Sequence, residues 1–289
     1  MGDWMVEHKI INELNQIYNN ASYSKFNLIQ SKEGIHVYRF EVNEMPVIVK
    51  MFTSNEAKRE IINYNLLKTI GVPTIKVLGT TENCICLEDI DNSKDYRLGV
   101  PEDLNDITIA RMIARWYKCL HKKGAKISDL SNLYRESNTI NSDNLEFLNL
   151  KVKNEVWQIL IDNLNKIQNI VNNLEETLVY NDFYWTNLVV YKNKKDTLMF
   201  DYNLLGRGYR YSDIRNVCSS LSDSCKKAFL DEYGEYNRFE KIVDECISPV
   251  ITLIFAFRRD KFPRWGNESL KIVESGELLK RVNKVIDYT

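Results

Sequence analysis

With 289 residues, 44% of them hydrophobic, and a net charge of −1, the chain has the composition of an ordinary globular protein. This near-neutral charge excludes proteins that bind nucleic acids through a basic surface, so we expect no nucleic-acid partner. The longest apolar run covers residues 249–257. It is far shorter than the roughly 20 residues of a membrane span, so we expect a buried helix there and no membrane partner.

The cysteines indicate a reducing compartment. Six are present, none in a Cys-x-x-Cys pair, and only three histidines accompany them, so the sequence does not predict a zinc site. Most of the cysteines lie in apolar patterns, which is typical of reduced core thiols. The N-terminal residues lack the basic-then-apolar pattern of a leader. We therefore expect a cytoplasmic protein. Its expected oligomeric state is a monomer or a weak dimer.

The first ninety residues predict one helix followed by strands. Apolar residues at helical spacing between residues 10 and 18 predict the helix, which Asp3 could cap. Beta-branched and aromatic residues then predict three antiparallel strands between Tyr23 and Phe52. Two more strands are predicted at residues 74–78 and 84–87.

Lys50 is a charged residue in an otherwise apolar strand, residues 46–52. An ammonium group in such a strand must either reach water, as it could on an edge strand, or find an anion. Helical spacing over residues 57–70 predicts a helix directly afterwards. Glu60 shares a face of that helix with Tyr64 and leans toward the sheet, although a solvated helix face is the alternative.

Beyond residue 101 the pattern becomes helical. The predicted helices cover residues 107–124, 157–171, 222–233, 238–259 and 267–286. His121, at the end of the first of them, is interpreted as structural. Residues 206–210 predict a loop that is free to approach a ligand, and Asp213 opens a further helix, for which it could be the N-cap.

Residues 178–201 carry the strongest chemical signal in the chain. Asn187 lies five residues after Asp182, and two short apolar segments joined by a polar turn then predict a hairpin that ends on Asp201. A tight hairpin would bring these three side chains to one end of the paired strands. Oxygen-bearing side chains that converge in this way suit Mg²⁺ bound to nucleotide phosphates.

This segment resembles the catalytic segment of the aminoglycoside phosphotransferase and choline kinase family, which has the protein-kinase-like fold. In that family an Asp-x-x-x-x-Asn loop is followed, after a short hairpin, by a metal-binding aspartate. The resemblance implies that Asp182 is the catalytic base and that Asn187 and Asp201 hold Mg²⁺. The family usually has His-Gly before the catalytic base and Phe-Gly after the metal-binding aspartate. This chain has Tyr-Asn at both places, at residues 180–181 and 202–203.

The resemblance also implies the fold class. We expect an α+β protein with two lobes, a small antiparallel β lobe at residues 1–90 and a larger, mostly helical lobe at residues 91–289. The first would bind nucleotide, and the second would carry catalysis and acceptor binding. In related kinases an aspartate at the position of Asp213 braces the backbone of the catalytic loop.

The nucleotide, ATP or GTP, would lie in the cleft beneath the segment that joins the lobes. Lys50, held by Glu60, would bind its phosphates. Backbone groups at Glu88 and Ile90 would bind its base, although Glu88 and Asp89 could equally form a charged linker.

The implied function is nucleotide- and Mg²⁺-dependent transfer of the γ-phosphate to a hydroxyl of a small, cationic molecule. An aminoglycoside-type antibiotic is the first candidate, which would make the protein an antibiotic-resistance enzyme; choline, homoserine or a sugar are alternatives. Carboxylates that could bind the cation, or could be solvated surface, are Asp231, Glu232, Glu235, Glu240, Asp244 and Glu245. Two other hypotheses stay open: a non-catalytic binding protein of kinase-like fold, and a different fold in which the hairpin aspartates form a metal-hydrolase site.

Overall fold

The structure is a computed structural model that describes residues 3–288, with the side chains of residues 7–288. The proposed capping side chain of Asp3 lies outside the described side chains. The helices are α1 (Asp3–Asn15), α2 (Arg59–Ile70), α3 (Ile107–Gly124), α4 (Ser142–Lys151), α5 (Val156–Asp162), α6 (Leu164–Asn172), α7 (Arg210–Ser220), α8 (Asp223–Tyr233), α9 (Arg238–Phe257), α10 (Asn267–Glu274) and α11 (Glu277–Asp287). The strands are β1 (Tyr23–Lys32), β2 (Ile35–Val42), β3 (Met45–Phe52), β4 (Val77–Thr80), β5 (Cys84–Glu88), β6 (Tyr96–Leu98), β7 (Thr177–Val179), β8 (Leu188–Tyr191), β9 (Thr197–Met199) and β10 (Gly206–Gly208).

The chain forms two compact units. The first contains the residues up to Leu120 together with Asp182–Leu205 and Val217–Tyr233. The second contains His121–Asn181, Gly206–Asn216 and the residues from Gly234 onward. These units are defined by contacts between residues in the folded chain and are not the predicted lobes. The division into lobes at about residue 90 stays a prediction.

The first unit is built on an antiparallel sheet with the strand order β1-β2-β3-β5-β4. Side chains alternate across a strand, so Val47 and Val49 of β3 face one side and Lys50 faces the other. The valine side forms a core with Ile10 and Leu14 of α1. This arrangement confirms the predicted antiparallel strands and leaves Lys50 on the face away from α1.

Helix α9 is the centre of the core of the second unit. It carries the apolar run at residues 249–257 and buries Val250, Leu253 and Ile254 completely. The expected buried helix is therefore confirmed. Within residues 3–288, no helix is both long enough and apolar enough to cross a bilayer.

Two of the predicted helices are interrupted. The helix expected over residues 157–171 divides into α5 and α6 at Asn163, whose side-chain amide donates to the Ile159 carbonyl at 2.9 Å and so competes with the regular helical bonds. The helix expected over residues 267–286 divides into α10 and α11 at Gly276, whose φ of 74° leaves the helical region.

Other predictions need correction as well. The strand expected at residues 74–78 begins only at Val77, and α4 and β6 were missed. Residues 206–208 are not a free loop, because they pair with β7 as the strand β10. Gly206 is required there, since a Cβ atom at this position would lie 2.1 Å from the carbonyl oxygen of Tyr134.

Candidate active site

The predicted hairpin is present in the first unit. Strands β8 and β9 pair antiparallel, with Leu188 opposite Met199. The backbone N–H of Phe200 donates to the Asn187 carbonyl at 3.2 Å and so extends the pairing beyond the last strand residue. Asn187 and Asp201 therefore lie at the same end of the hairpin, as the sequence predicts.

The loop from Asp182 to Asn187 is held by its own side chains. The amide nitrogen of Asn187 donates to both the carbonyl oxygen of Asp182, at 3.0 Å, and its Oδ2, at 2.9 Å. Phe183 is buried and packs edge-on against Tyr117, with ring centroids 6.2 Å apart. These contacts fix the carboxylate of Asp182 relative to the hairpin.

The carboxyl of Asp182 has a raised pKa. Burial raises its pKa to about 6, and the negative charge of Asp201 acts in the same direction. The hydrogen bond from Asn187 and the charge of Lys50 act in the opposite direction. A carboxylate with such a pKa is ionised at neutral pH and is a stronger base than an ordinary aspartate.

Lys50 forms two ion pairs in the first unit. Its Nζ lies 2.7 Å from Glu60 Oε1 and 3.0 Å from Asp201 Oδ1. The side chain of Lys50 is only 7% exposed and that of Glu60 is fully buried. The alternatives of a lysine reaching into solvent and of a glutamate on a solvated face are therefore wrong.

The ammonium group of Lys50 is the charge of this cluster that its neighbours stabilise. Burial opposes the charge on Lys50, but Glu60 and Asp201 outweigh it and raise the pKa of the lysine. For Glu60, burial raises the pKa of the carboxyl more than the charge of Lys50 lowers it, so the net shift is upward. The ammonium group thus stays protonated and is directed toward Asp201, at the end of the hairpin.

Helix α2 also contacts the backbone that follows Asp201. Asn63 Nδ2 donates to the Tyr202 carbonyl at 2.6 Å, and Arg59 Nε donates to the Asn203 carbonyl. The rings of Tyr64 and Tyr202 pack edge to face, with centroids 4.7 Å apart. Sequence reasoning missed these contacts, although Asn63 lies one turn after Glu60 and therefore on the same face of the helix.

Asp201 itself adopts a left-handed backbone conformation, with φ of 63°. Such a conformation is costly for most residues but is tolerated by Asp and Asn. Its surroundings must stabilise it, and the bond from Lys50 and the contacts of α2 on the next residues do so. The strain lies at the residue that the sequence predicts to bind metal.

In the second unit, Asp213 braces the residues that immediately precede Asp182 in the chain. Its carboxylate accepts hydrogen bonds from the backbone N–H groups of Tyr180, at 2.8 Å, and Asn181, at 2.9 Å. Its Oδ2 also lies 3.1 Å from Nε2 of the buried His121. Asp213 is therefore a brace rather than only an N-cap, and His121 is placed as a structural residue.

The segment predicted to bind the nucleotide base follows the sheet of the first unit. Glu88 ends β5, and Ile90 begins a 3₁₀ helix over Ile90–Asn92. Between them, buried Asp89 accepts hydrogen bonds from Arg39 Nη2 at 3.0 Å and from the backbone N–H of Asp91 at 3.2 Å. Arg39 thus ties this segment to β2, and base binding by Glu88 and Ile90 stays a prediction.

The carboxylates predicted to bind a cationic acceptor are partly used by the protein. Asp244 is buried and bonded to the hydroxyl of Tyr209 and to Nε of Arg215, both at 2.9 Å. Glu240 is also buried and accepts a hydrogen bond from the Tyr211 backbone. These two carboxylates therefore have structural roles, and the hypothesis that they bind the acceptor is wrong.

The donor set at the end of the hairpin fits a hard divalent cation. Asp201 supplies a one-third exposed carboxylate, and Asn187 uses its amide nitrogen on Asp182, which leaves its amide oxygen for a cation. No group of three or more His, Cys, Asp or Glu side chains in residues 3–288 is arranged as a metal cluster. A nucleotide metal does not need one, since phosphate oxygens and water complete its coordination.

No family model matches the chain. In sequence it is similar to the Protein LicA homolog of Mycoplasma capricolum subsp. capricolum, with 24% identity over 198 residues, 67% of this chain and 75% of the relative. In structure it is similar to the choline kinase LicA from Streptococcus pneumoniae, with a TM-score of 0.59, 14% identity and coverage of 96% of this chain and 99% of the other. It is also similar to the spectinomycin phosphotransferase APH(9)-Ia in complex with ADP and spectinomycin, with a TM-score of 0.57, 13% identity and coverage of 96% and 98%.

Both solved structures cover nearly the whole chain, so the likeness extends well beyond the hairpin. The hypothesis of a different fold with a metal-hydrolase site is therefore wrong. The chain has the α+β protein-kinase-like fold, in the form that choline kinases and antibiotic phosphotransferases share, which confirms the resemblance found in its sequence.

Proposed function

We propose that the protein is a small-molecule kinase that transfers the γ-phosphate of ATP or GTP to a hydroxyl group. One observation carries this proposal: the ion pairs of Lys50 with Glu60 and Asp201 belong to the same unit as the Asp182–Asn187 pair. Phosphoryl transfer depends mainly on positioning and on charge neutralisation, so this small set is sufficient.

Each residue has a separate role in the proposed reaction. Lys50 binds the phosphates, while Glu60 keeps its ammonium group charged and in place. The acceptor oxygen forms a bond to the γ-phosphorus as the bond from that phosphorus to the β–γ bridging oxygen breaks, and the nucleoside diphosphate leaves. Asp182 accepts the proton of the attacking hydroxyl.

Asn187 and Asp201 would hold Mg²⁺. When bound, the ion supplies positive charge against the phosphate oxygens. We further propose that residues 1–90 bind the nucleotide, with the backbone at Glu88 and Ile90 against its base, and that residues 91–289 bind the acceptor.

For the acceptor, we propose a small hydroxyl compound that carries an amino or ammonium group. The relatives support this class, because their names give choline and spectinomycin as the compounds on which they act. An amino alcohol of the choline type is favoured, because the relative in sequence is named a LicA homolog and the solved LicA structure is named a choline kinase. An aminoglycoside-type antibiotic is the second candidate, and antibiotic resistance would follow from it.

A non-catalytic binding protein is the rival hypothesis. It would be favoured if the altered neighbours of Asp182 and Asp201 had displaced the reactive groups. Instead, Asn181 has a φ of 66°, a left-handed conformation that asparagine tolerates better than most residues. The Tyr-Asn pair before Asp182 is thus compatible with an ordered loop, which supports the hypothesis of a catalytic kinase.

The proposed function is tested by nucleotide binding and by product release. We expect ATP or GTP to bind in calorimetry in the presence of Mg²⁺, and ADP or GDP release to rise with one member of a panel. The panel contains choline, ethanolamine, homoserine, sugars, aminoglycosides and spectinomycin. The absence of both a calorimetric heat signal and thermal stabilisation at millimolar nucleotide would refute nucleotide binding. Binding without turnover on any compound of the panel would favour the non-catalytic protein.

The pKa of Asp182 predicts the pH dependence of the reaction. The base acts only when ionised, and burial places its pKa at about 6. We therefore expect kcat to be level at neutral pH and to fall about tenfold per pH unit below pH 6. Measuring kcat between pH 5 and 8 at saturating substrates checks this, and a profile that stays level down to pH 5 would contradict it.

A further inference from the structure

Two adjacent aromatic residues follow Asp182 and have no role in the reaction described above. Tyr184 and Trp185 are the second and third residues after the base. The side chain of Tyr184 is half exposed, at 51%, and its ring centroid lies 5.7 Å from that of Trp185 with the planes tilted by 41°. The exposed face of this ring is not used in the core, so it is available to contact a ligand.

The ring of Tyr184 does not shape the loop. Phe183 anchors the loop in the core beside Tyr117, and the amide of Asn187 closes it onto Asp182. The Asn187 N–H donates to the carbonyl of Tyr184 at 3.0 Å, which uses the backbone of the tyrosine and not its side chain. The ring can therefore be changed without removing the contacts that hold the base.

Trp185 is fixed in a different way. Its carbonyl lies so close to Gly99 that a Cβ atom at that position would be 2.4 Å from the oxygen. The backbone of Trp185 is thus set by this close approach, and its partly buried ring supports one side of the Tyr184 ring. The pair forms a small aromatic surface with Tyr184 outermost.

The position of this surface relates it to the acceptor. Tyr184 is two residues from Asp182, so their Cα atoms are within about 7 Å of each other. Groups next to the reacting hydroxyl of an acceptor at Asp182 therefore lie within reach of a side chain attached at that distance. Ring faces attract ammonium groups, and the carboxylates of Asp182 and Asp201 add a negative field that favours the same charge.

Resting on the proposed phosphotransfer, we propose that Tyr184, supported by Trp185, is the specificity-determining residue that holds the ammonium group of the acceptor. Quaternary ammonium groups of amino alcohols and protonated amines of amino sugars share this chemistry. The assignment places acceptor recognition in the catalytic loop and not at Glu240 and Asp244, which are used within the protein.

The test compares substitutions that keep or remove the ring face. We expect Tyr184→Leu to raise the KM of the best cationic acceptor by about 2- to 30-fold, with a smaller change in kcat. Tyr184→Phe keeps the ring and should retain the parental KM. Tyr288→Leu is a matched control, because it removes a tyrosine that is similarly exposed, at 61%, and it should leave the acceptor KM unchanged.

Calorimetric titration of the same acceptor without nucleotide gives a second readout of the ring that does not depend on turnover. An unchanged KM and affinity in Tyr184→Leu would overturn the inference while leaving the kinase function intact. Equal losses in Tyr184→Leu and Tyr184→Phe would also overturn it, because they would assign the effect to the hydroxyl. A neutral sugar as the best acceptor refutes the ammonium class, and no phosphorylation of any compound by the parent protein refutes the proposed function and this inference together.

Discussion

Replacing Asp182 by asparagine should lower kcat by about 10²–10⁴-fold, the usual contribution of a positioned general base. The substitution keeps the size of the side chain but removes its ability to accept a proton. Nucleotide affinity should change little, because Lys50, Glu60 and Asp201 remain in place. Single-turnover rates and calorimetric binding of nucleotide measure the two effects separately.

Asp260→Asn provides the matched control for this experiment. It makes the same chemical change at an exposed aspartate just beyond the end of α9, outside the proposed site, and should leave kcat at the parental value. If Asp182→Asn turns over like the parent protein, another group must accept the proton and Asp182 leaves the mechanism. A loss of nucleotide binding that equals the loss of rate would instead make Asp182 a binding residue.

The second large effect is expected from Lys50→Met, through stability as well as activity. The substitution leaves the fully buried Glu60 without its partner, and an unpaired buried charge typically costs about 3–5 kcal/mol of folding free energy. Nucleotide binding should be lost at the same time. Urea denaturation measures the stability, and Lys68→Met, at an exposed lysine of α2, is the control that should unfold like the parent.

A double substitution separates the two consequences of losing Lys50. Adding Glu60→Gln removes the buried charge, so the double variant should recover most of the lost stability. It still lacks an ammonium group for the phosphates, so it should not recover nucleotide binding. Recovery of both properties would show that Lys50 serves only the ion pair.

The parts of the site that could be predicted from sequence are those with a local chemical signature. Lys50 was identifiable because an ammonium group in an apolar strand needs an anion nearby. The hairpin carrying Asn187 and Asp201 was identifiable because two short apolar segments flank a polar turn. Both depend on residues close together in the chain, and the structure places them as expected.

The errors arose where the outcome depends on distant partners. Nothing near Asp244 in the sequence shows that Tyr209 and Arg215 bury it, so it could not be told from a surface carboxylate. The strand β10 has glycine at two of its three positions, a composition typical of a loop, and pairing with β7 overrides that preference. The break between α5 and α6 at Asn163 was also not predictable from helical spacing, because it depends on a hydrogen bond from the Asn163 side chain to the backbone.

The cluster around Lys50 has a consequence for the order in which ligands arrive. When these groups are ionised, the ammonium of Lys50 faces the three carboxylates of Glu60, Asp182 and Asp201, so negative charge is in excess among the four, and Lys32 offsets it only in part at Asp182. A bare nucleotide is a polyanion and meets electrostatic repulsion there, and a bound divalent ion cancels two of its negative charges and so weakens that repulsion. The charge of this cluster thus favours entry of the metal–nucleotide complex over entry of the bare nucleotide.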